Sequence, residues 1–270
     1  MILDNHLVFS ANFVGVGAAH ATELGNSSLS IEKDGKPWLL VDCGFDTLNR
    51  YKAHYNNQLP RAIFITHCHF DHIGGLEQLY FQSRLSGVRP IIYLPHLLVP
   101  TLVNILENTL LAEGNENLWD SFHLVPVLNT FFHQGVKLHT YPVRHHRSNS
   151  AFSLHMPGYF FYSGDTRPIP ELLHHHVNND ETIFHDCSVV GNPSHSGLAD
   201  LLQEYSDEVL ARIVVYHYAS KDDSIRFAKH HLAFAKVNEI IHLPSVRQHN
   251  VSDIVLKSRH PTDETIHDAR

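Results

Sequence analysis

The segment AIFITHCHFDHIGG, residues 62–75, constrains the fold more than any other part of the chain. It begins with a short apolar run rich in β-branched residues, which is typical of a buried strand. Four potential metal ligands follow within six positions: His67, His69, Asp71 and His72. Burying so many polar groups is costly unless they bind a metal or satisfy one another's hydrogen bonds. The segment therefore predicts a strand that ends in a loop of metal ligands.

A site for two metals needs further ligands, and candidates follow other predicted strands. His145 and His146 come after LHTYPVR, Asp165 lies in FFYSGDTRP, and His217 ends RIVVYH. Strand ends at one edge of a sheet are where active sites are assembled. Singly, each candidate also fits a structural role, such as a turn aspartate or a buried imidazole. Together they fit a site of nitrogen and oxygen ligands that suits zinc, with manganese or iron as alternatives.

Short β-like runs recur along the chain, and helical stretches separate several of them. The predicted strands are 6–11, 28–32, 37–42, 62–66, 90–94, 136–141, 151–156, 159–163, 182–186 and 212–217. The predicted helices are 46–56, 73–85, 97–112, 168–177, 197–210 and 222–236. Early hairpin-like spacing followed by alternation with helices favours two sheets with helices outside them. We expect one domain over residues 1–270, with a polar tail at about 258–270.

Composition limits the classes of function. A net charge of −8 argues against broad nucleic-acid binding, which depends on dense lysine and arginine. No stretch approaches the roughly 18 apolar residues of a membrane span, and the N-terminus lacks the pattern of a signal peptide. The three cysteines are widely spaced and odd in number, which favours a reducing compartment. We therefore expect a cytoplasmic protein that does not bind membranes.

These motifs resemble the metallo-β-lactamase superfamily, whose signature is His-x-His-x-Asp-His, a later His, an Asp and a final His. LGNSSLSIEKDGKPWLLVDCGFDT is similar to the opening hairpins and Asp-x-Gly turn of that family. The resemblance implies an α/β (α+β) fold, a four-layer αββα sandwich with two zinc ions at one edge. It also implies that His67, His69 and His145 hold one metal, that Asp71, His72 and His217 hold the other, and that Asp165 bridges them.

Three segments resemble the ribonuclease Z and phosphodiesterase branch of the superfamily: YPVRHHRSNSAFSL, SHSGLADLL and FHDCS. The spacing of six residues before Ala151 favours His145 over His146 as the ligand, without deciding between them. SHSGLADLL is similar to the segment that supplies a catalytic histidine outside the metal shell, which here is His195. The other interpretation of this segment is a helix-capping neighbourhood, with Ser194 or Ser196 as the cap. FHDCS resembles a His-Glu-Ala-Thr segment, with Asp186 in place of Glu and His185 as a supporting residue.

The resemblance implies a dinuclear-metal hydrolase of phosphodiester bonds. Only 19 residues lie between His145 and Asp165, which leaves no room for the tRNA-gripping arm of ribonuclease Z. We therefore expect a small or cyclic nucleotide-type diester rather than extended RNA. The mechanism that the resemblance implies has a metal-bridging hydroxide attack phosphorus. Asp71 would orient the hydroxide, and His195 would act as general acid for the leaving group.

Three other functions also fit these motifs. A thioester or lactone hydrolase on the same fold needs the same hydroxide, but it has no use for His195. The second alternative is tRNA 3′-processing by a ribonuclease Z. The third is a non-hydrolytic role, such as a di-iron oxidoreductase or a binding module. The apolar stretch at 96–111 suits either packing on the core or the interface of a homodimer.

Overall fold

The computed structural model describes residues 8–110 and 117–244. Within these residues, two seven-stranded mixed sheets pack face to face, and helices cover their outer faces. This is the four-layer α/β arrangement that the sequence predicts. None of the helices in the described part of the chain combines the length and the hydropathy that crossing a membrane requires.

The first sheet has the strand order β14-β1-β2-β3-β4-β5-β6. Its strands are β1 Phe9–Gly15, β2 Ser28–Lys33, β3 Lys36–Val41, β4 Ala62–Phe64, β5 Ile91–Pro95, β6 His123–Val127 and β14 Ile240–His242. The second sheet has the order β13-β12-β11-β10-β9-β8-β7. Its strands are β7 Thr130–His133, β8 Val136–His139, β9 Leu154–Met156, β10 Phe160–Tyr162, β11 Thr182–Asp186, β12 Ile213–Tyr216 and β13 Ala233–Phe234.

The helices connect these strands on the outside of the sandwich. They are α1 Thr47–His54, α2 Phe70–Ile73, α3 Leu76–Ser86, α4 Val99–Leu110, α5 Leu118–Ser121, α6 Pro170–His176, α7 Leu198–Glu204, α8 Asp207–Leu210 and α9 Lys221–Lys229, with a 3₁₀ turn at His96–Leu98 before α4. One face of the apolar 96–111 stretch is buried against the core through Leu98, Leu102 and Leu106. Packing on the core, one of the two predicted roles of this stretch, is therefore observed.

Two apolar cores stabilise the sandwich. The larger lies between the sheets, where Phe13 of β1 packs edge-to-face on Phe184 of β11 at 5.2 Å and Phe64 of β4 stacks on Phe131 of β7 at 5.7 Å. The smaller lies between the first sheet and the helices that cover it. Each fully buried phenylalanine contributes roughly 1.5–3 kcal/mol to folding. Two packed layers of this kind hold the strand ends in fixed positions.

Parallel pairing brings the ends of several strands to one edge of the sandwich. β3 pairs parallel with β4 in the first sheet, and β10, β11 and β12 are parallel in the second. Asp42 follows β3, and His217 follows β12, both with left-handed backbone conformations (φ 61° and 66°). Such conformations cost free energy in residues other than glycine and cluster at functional sites. The edge is therefore where polar side chains are expected to converge.

The sequence missed or misplaced several elements. β6, β7, β13 and β14 were not predicted, and the predicted helix 222–236 was wrong in its second half because α9 ends at Lys229. The predicted helix 197–210 is divided at Tyr205 and Ser206, whose extended backbone ends α7 and starts α8. Residues 6–7, 111–112 and the predicted tail at 258–270 lie outside the described residues.

Candidate metal centre

The loop after β4 carries four of the predicted ligands. His69 is the N-cap of the short helix α2, which places Asp71 and His72 in its first turn. His67 and His72 are almost completely buried, and Asp71 is nearly so. The backbone of this loop is joined to the turn after β3, because His72 O accepts a hydrogen bond from Cys43 N at 2.7 Å. The four side chains thus have fixed positions at the sheet edge.

Three histidines form the first ligand cluster. His67 Nε2 lies 3.0 Å from His69 Nδ1, and His145 Nε2 lies 3.3 Å from the same nitrogen. One ligand atom of each lies within 4.8 Å of the other two. His146, the alternative to His145, is exposed and contacts Ser194 Oγ through its Nδ1 at 2.7 Å. The structure therefore brings His145, and not His146, to this cluster.

The second cluster consists of Asp71, His72, Asp165 and His217, whose ligand atoms also lie within 4.8 Å of one another. Asp165 Oδ2 is 3.2 Å from His72 Nε2 and 3.4 Å from His217 Nε2. The same oxygen is 3.6 Å from His67 Nε2 of the first cluster. Asp165 therefore lies between the two clusters, where a ligand shared by two cations would have to be.

Outer partners orient the histidines of both clusters. His72 Nδ1–H donates to Asp42 Oδ2 at 2.8 Å, and His145 Nδ1–H donates to the Ser194 carbonyl at 2.9 Å. A histidine that donates one ring N–H outward presents the lone pair of its other nitrogen to a metal. The sequence did not predict that Asp42 or Ser194 orients a ligand. The Asp-x-Gly turn was the available signal for Asp42.

The chemistry of the centre fits divalent cations. His72 Nε2, His217 Nε2 and Asp165 Oδ1 are buried and have no hydrogen-bond partner in the described chain. Unpartnered buried polar atoms are costly, and a cation coordinated there would satisfy them. Imidazole nitrogens with carboxylate oxygens suit zinc, manganese or iron. The residues present thus fit the metal-binding role that the sequence predicts for this edge.

The electrostatics of the centre keep its carboxylates ionised. Burial alone would raise the pKa of Asp165, but His217, His72 and His67 outweigh it and hold that pKa well below its usual range. Burial opposes charge on His217, yet Asp165, Asp186 and Asp71 raise its pKa to about 10. Burial lowers the pKa of His145 to about 4. The carboxylate of Asp165 and the neutral imidazole of His145 are thus in the protonation states that coordinate a metal, whereas His217 must release its proton when a cation binds.

His195 lies beside the two clusters. Its Nδ1–H donates to Asp186 Oδ2 at 2.9 Å, and the same nitrogen is 3.9 Å from Asp165 Oδ2. Its ring stacks on that of His217 with centroids 4.9 Å apart. The N-cap of α7 is Gly197, so neither serine flanking His195 caps the helix as the alternative interpretation predicted. Burial opposes the charged form of His195, but Asp186 outweighs it and raises the pKa of the imidazole.

His185 lies behind Asp186 and outside both clusters. Its Nδ1–H donates to the Asp186 carbonyl at 2.7 Å, and its Nε2 accepts the Tyr205 hydroxyl at 2.7 Å. Asp186 in turn contacts His217 as well as His195, with Oδ1 3.5 Å from His217 Nδ1. Asp186 thus links the histidine beside the centre to a candidate ligand.

Comparison with known proteins decides the family. Residues 9–241 match the family model described as "Anti-Pycsar protein Apyc1". A protein of that name from Saccharibacillus brassicae is 32% identical over 219 residues, which cover 78% of this chain and 90% of the relative. The chain belongs to the Apyc1 family.

Solved structures similar to this Apyc1 family member confirm the predicted fold. The metallo-β-lactamase fold protein YhfI from Bacillus subtilis superposes with a TM-score of 0.65 at 12% identity, over 87% of this chain and 99% of YhfI. A diphosphatase from the PhnP family gives a TM-score of 0.69 at 16% identity, over 88% of this chain and all of that chain. With this family, fold and site, the chain is a metal-dependent hydrolase.

Removing the metal with a chelator is expected to lower the melting temperature by about 5–10 °C. A cation that binds only the folded state stabilises it by about 2.7 kcal/mol when its free concentration is a hundred times its Kd. In a protein of this size, 1 kcal/mol of stability shifts Tm by roughly 2–4 °C. Differential scanning fluorimetry with and without chelator measures the shift, and added zinc or manganese should reverse it. The His67→Ala variant should show a smaller shift. An unchanged melting temperature in the wild type would contradict metal binding at this site.

Proposed function

We propose that the protein is a phosphodiesterase that hydrolyses a small or cyclic nucleotide-type diester at a centre of two metals. One observation carries the proposal: Asp165 Oδ2 lies between two ligand clusters, with His195 close by and outside both. Such an arrangement can hold a pair of cations and still offer a proton donor to the substrate. Membership of the Apyc1 family supports a small nucleotide as the substrate.

The proposed ligand set is that of the two clusters. His67, His69 and His145 would hold one ion, Asp71, His72 and His217 the other, and Asp165 both. We propose zinc, with manganese or iron as alternatives. Bound there, two divalent cations supply Lewis acidity, which lowers the pKa of water and neutralises phosphoryl oxygens.

Asp71 and His195 have separate roles in this proposal. Asp71 Oδ2 lies 3.4 Å from His72 Nε2 and 3.6 Å from His217 Nε2, so it faces the interior of the centre, where it can accept a hydrogen bond from the attacking water. His195 is oriented through Nδ1 by Asp186, which leaves Nε2 to donate a proton to the departing oxygen. A positioned general acid contributes about 10²- to 10⁴-fold to the rate.

The chain around the centre favours a small substrate. Between His145 and Asp165 it forms the short strands β9 and β10, joined by a tight turn, with no inserted arm. The net charge of −8 also argues against a long polyanion. With this function we propose a cytoplasmic location, which agrees with the absence of a disulfide among the three cysteines. A homodimer is also proposed.

A substrate screen of purified, metal-loaded protein tests the proposal. The panel contains cyclic mononucleotides, cyclic dinucleotides, linear RNA, a tRNA precursor and a set of thioesters. We expect turnover of a cyclic nucleotide and a large loss of that turnover in His195→Ala. Thioester turnover that dominates and survives His195→Ala would overturn the proposal, and preferred cleavage of the tRNA precursor would assign the protein to RNA processing instead.

A further inference from the structure

Two phenylalanines lie exposed beside the metal centre. Phe45 is 61% exposed and Phe70 is 57% exposed, and their rings stack with centroids 6.0 Å apart and planes 25° from parallel. Phe70 is flanked in sequence by the candidate ligands His69 and Asp71, while Phe45 follows the turn that begins at Asp42. Neither ring was predicted from the sequence to belong to the site. We call this pair the aromatic shelf.

The backbone holds the aromatic shelf in place. Gly75 N donates a hydrogen bond to Cys43 O at 2.9 Å, and Cys43 N donates one to His72 O. These two backbone hydrogen bonds join the turn that carries Phe45 to the loop that carries Phe70. The ring of Phe45 lies directly over Gly74, where an added Cβ would be only 2.6 Å from Cδ1 of the ring. The glycines at 74–75 thus permit a close approach at this loop. The two rings keep a fixed relation to the ligands without being buried in a core.

Exposed apolar side chains are common when they are scattered, but two stacked rings beside a catalytic centre are a different case. The exposed face of each phenyl ring can stack on the flat ring of a nucleotide base. Such stacking of a base on an aromatic side chain contributes roughly 1–3 kcal/mol to the binding free energy. In a nucleotide, one sugar separates the base from the phosphate, so a base would lie next to the centre that binds its phosphate. Phe70, which lies between two candidate ligands in sequence, is therefore placed to meet it. Phenyl rings that are already positioned lose little conformational entropy when the base binds.

We propose that Phe45 and Phe70 bind the aromatic base of the substrate while the metal centre binds its phosphodiester. This inference rests on the proposed phosphodiesterase function and adds the part of the substrate that the metal ligands do not contact. The aromatic shelf makes the enzyme select diesters that carry a flat heterocycle over diesters that lack one.

Kinetics with a matched pair of substrates test the aromatic shelf. One substrate is adenosine 3′,5′-cyclic phosphate, and the other is the same cyclic phosphodiester with hydrogen in place of the base. In Phe70→Ala and Phe45→Ala, KM for the nucleotide should rise roughly 5- to 150-fold, as expected for a loss of about 1–3 kcal/mol, while kcat changes little. KM for the baseless diester should rise far less, and Phe70→Tyr should restore nucleotide binding.

Phe132→Ala is the matched control. Phe132 is 62% exposed and lies on β7, a strand that contributes no residue to either ligand cluster. This variant should keep the wild-type preference for the nucleotide. An equal rise in KM for both substrates in Phe70→Ala would show a disturbed metal centre, and it would overturn the inference. Unchanged KM values together with an altered oligomeric state would overturn it too, by assigning the rings to contact with a second copy.

Failure of the proposed function can be told apart from failure of the aromatic shelf. If the wild type cleaves neither diester and no other nucleotide diester of the substrate panel, the phosphodiesterase proposal is wrong. Calorimetric binding of the non-hydrolysable phosphorothioate analogues, with and without the base, then decides the question of the aromatic shelf. Tighter binding of the analogue with a base, lost in Phe70→Ala, supports the inference, and equal binding of the two analogues overturns it.

Discussion

The Asp165→Asn protein is expected to lose at least about 10³-fold in phosphodiesterase kcat and to bind fewer metal ions than the wild type. Loss of one well-placed electrostatic group alone costs about 10²- to 10³-fold. Loss of the Asp165 carboxylate should lower the rate further, because Oδ2 lies within 3.6 Å of candidate ligand nitrogens from both clusters. An amide keeps the shape of the side chain but removes the charge that two cations would share. Metal analysis and kinetics on the same preparation measure both effects.

Asp180→Asn is the control for this substitution. It makes the same change from carboxylate to amide, but in an exposed turn. It should keep wild-type metal content and activity. Asp165→Asn protein that retains two ions per chain and full turnover would contradict the shared-ligand role. A stable, folded variant with one ion or none would instead support it, because the loss would then not come from unfolding.

The His195→Ala protein is expected to lose about 10²- to 10⁴-fold in kcat on a cyclic nucleotide while keeping its metal content. The alkoxide that leaves a cyclic nucleotide is a poor leaving group without a proton, whereas p-nitrophenolate departs readily as an anion. The loss should therefore be much smaller on bis-p-nitrophenyl phosphate. Steady-state kinetics on the two substrates, with metal analysis, measure this difference.

His175→Ala serves as the control, because His175 is exposed on α6 and belongs to neither cluster. Its activity on both substrates should match that of the wild type. An equal loss on both substrates in His195→Ala would show that the histidine does not protonate the leaving group. Loss of a metal ion in the same variant would show that His195 is a ligand.

The first four candidate ligands could be identified because they are local in sequence. His67, His69, Asp71 and His72 follow one strand within a single loop, so one pattern reports all of them. Asp165 and His217 were identified less directly, from the rule that strand ends meet at one edge, and the structure places both beside His72. Asp42 was not assigned a role, because its contact with His72 joins residues 30 positions apart.

The missed strands share physical features that hide them in a sequence. β14 lies at the edge of the first sheet with exposed residues, and β13 has only two residues at the edge of the second. β6 contains Pro126, which argues against a strand when only local preferences are read. Phe45 and Phe70 were missed for another reason, since their significance depends on exposure, which a sequence does not report.

The candidate ligands come from both halves of the sandwich: Asp71 and His72 belong to the side of the first sheet, and Asp165 and His217 follow β10 and β12 of the second. Cations bound there would therefore act as cross-links between the two sheets. The sheets must already have docked before ligands from both sides can meet, so coordination comes late in folding. Its stabilising effect then falls mainly on the unfolding rate, which makes the loaded enzyme kinetically persistent rather than faster to fold.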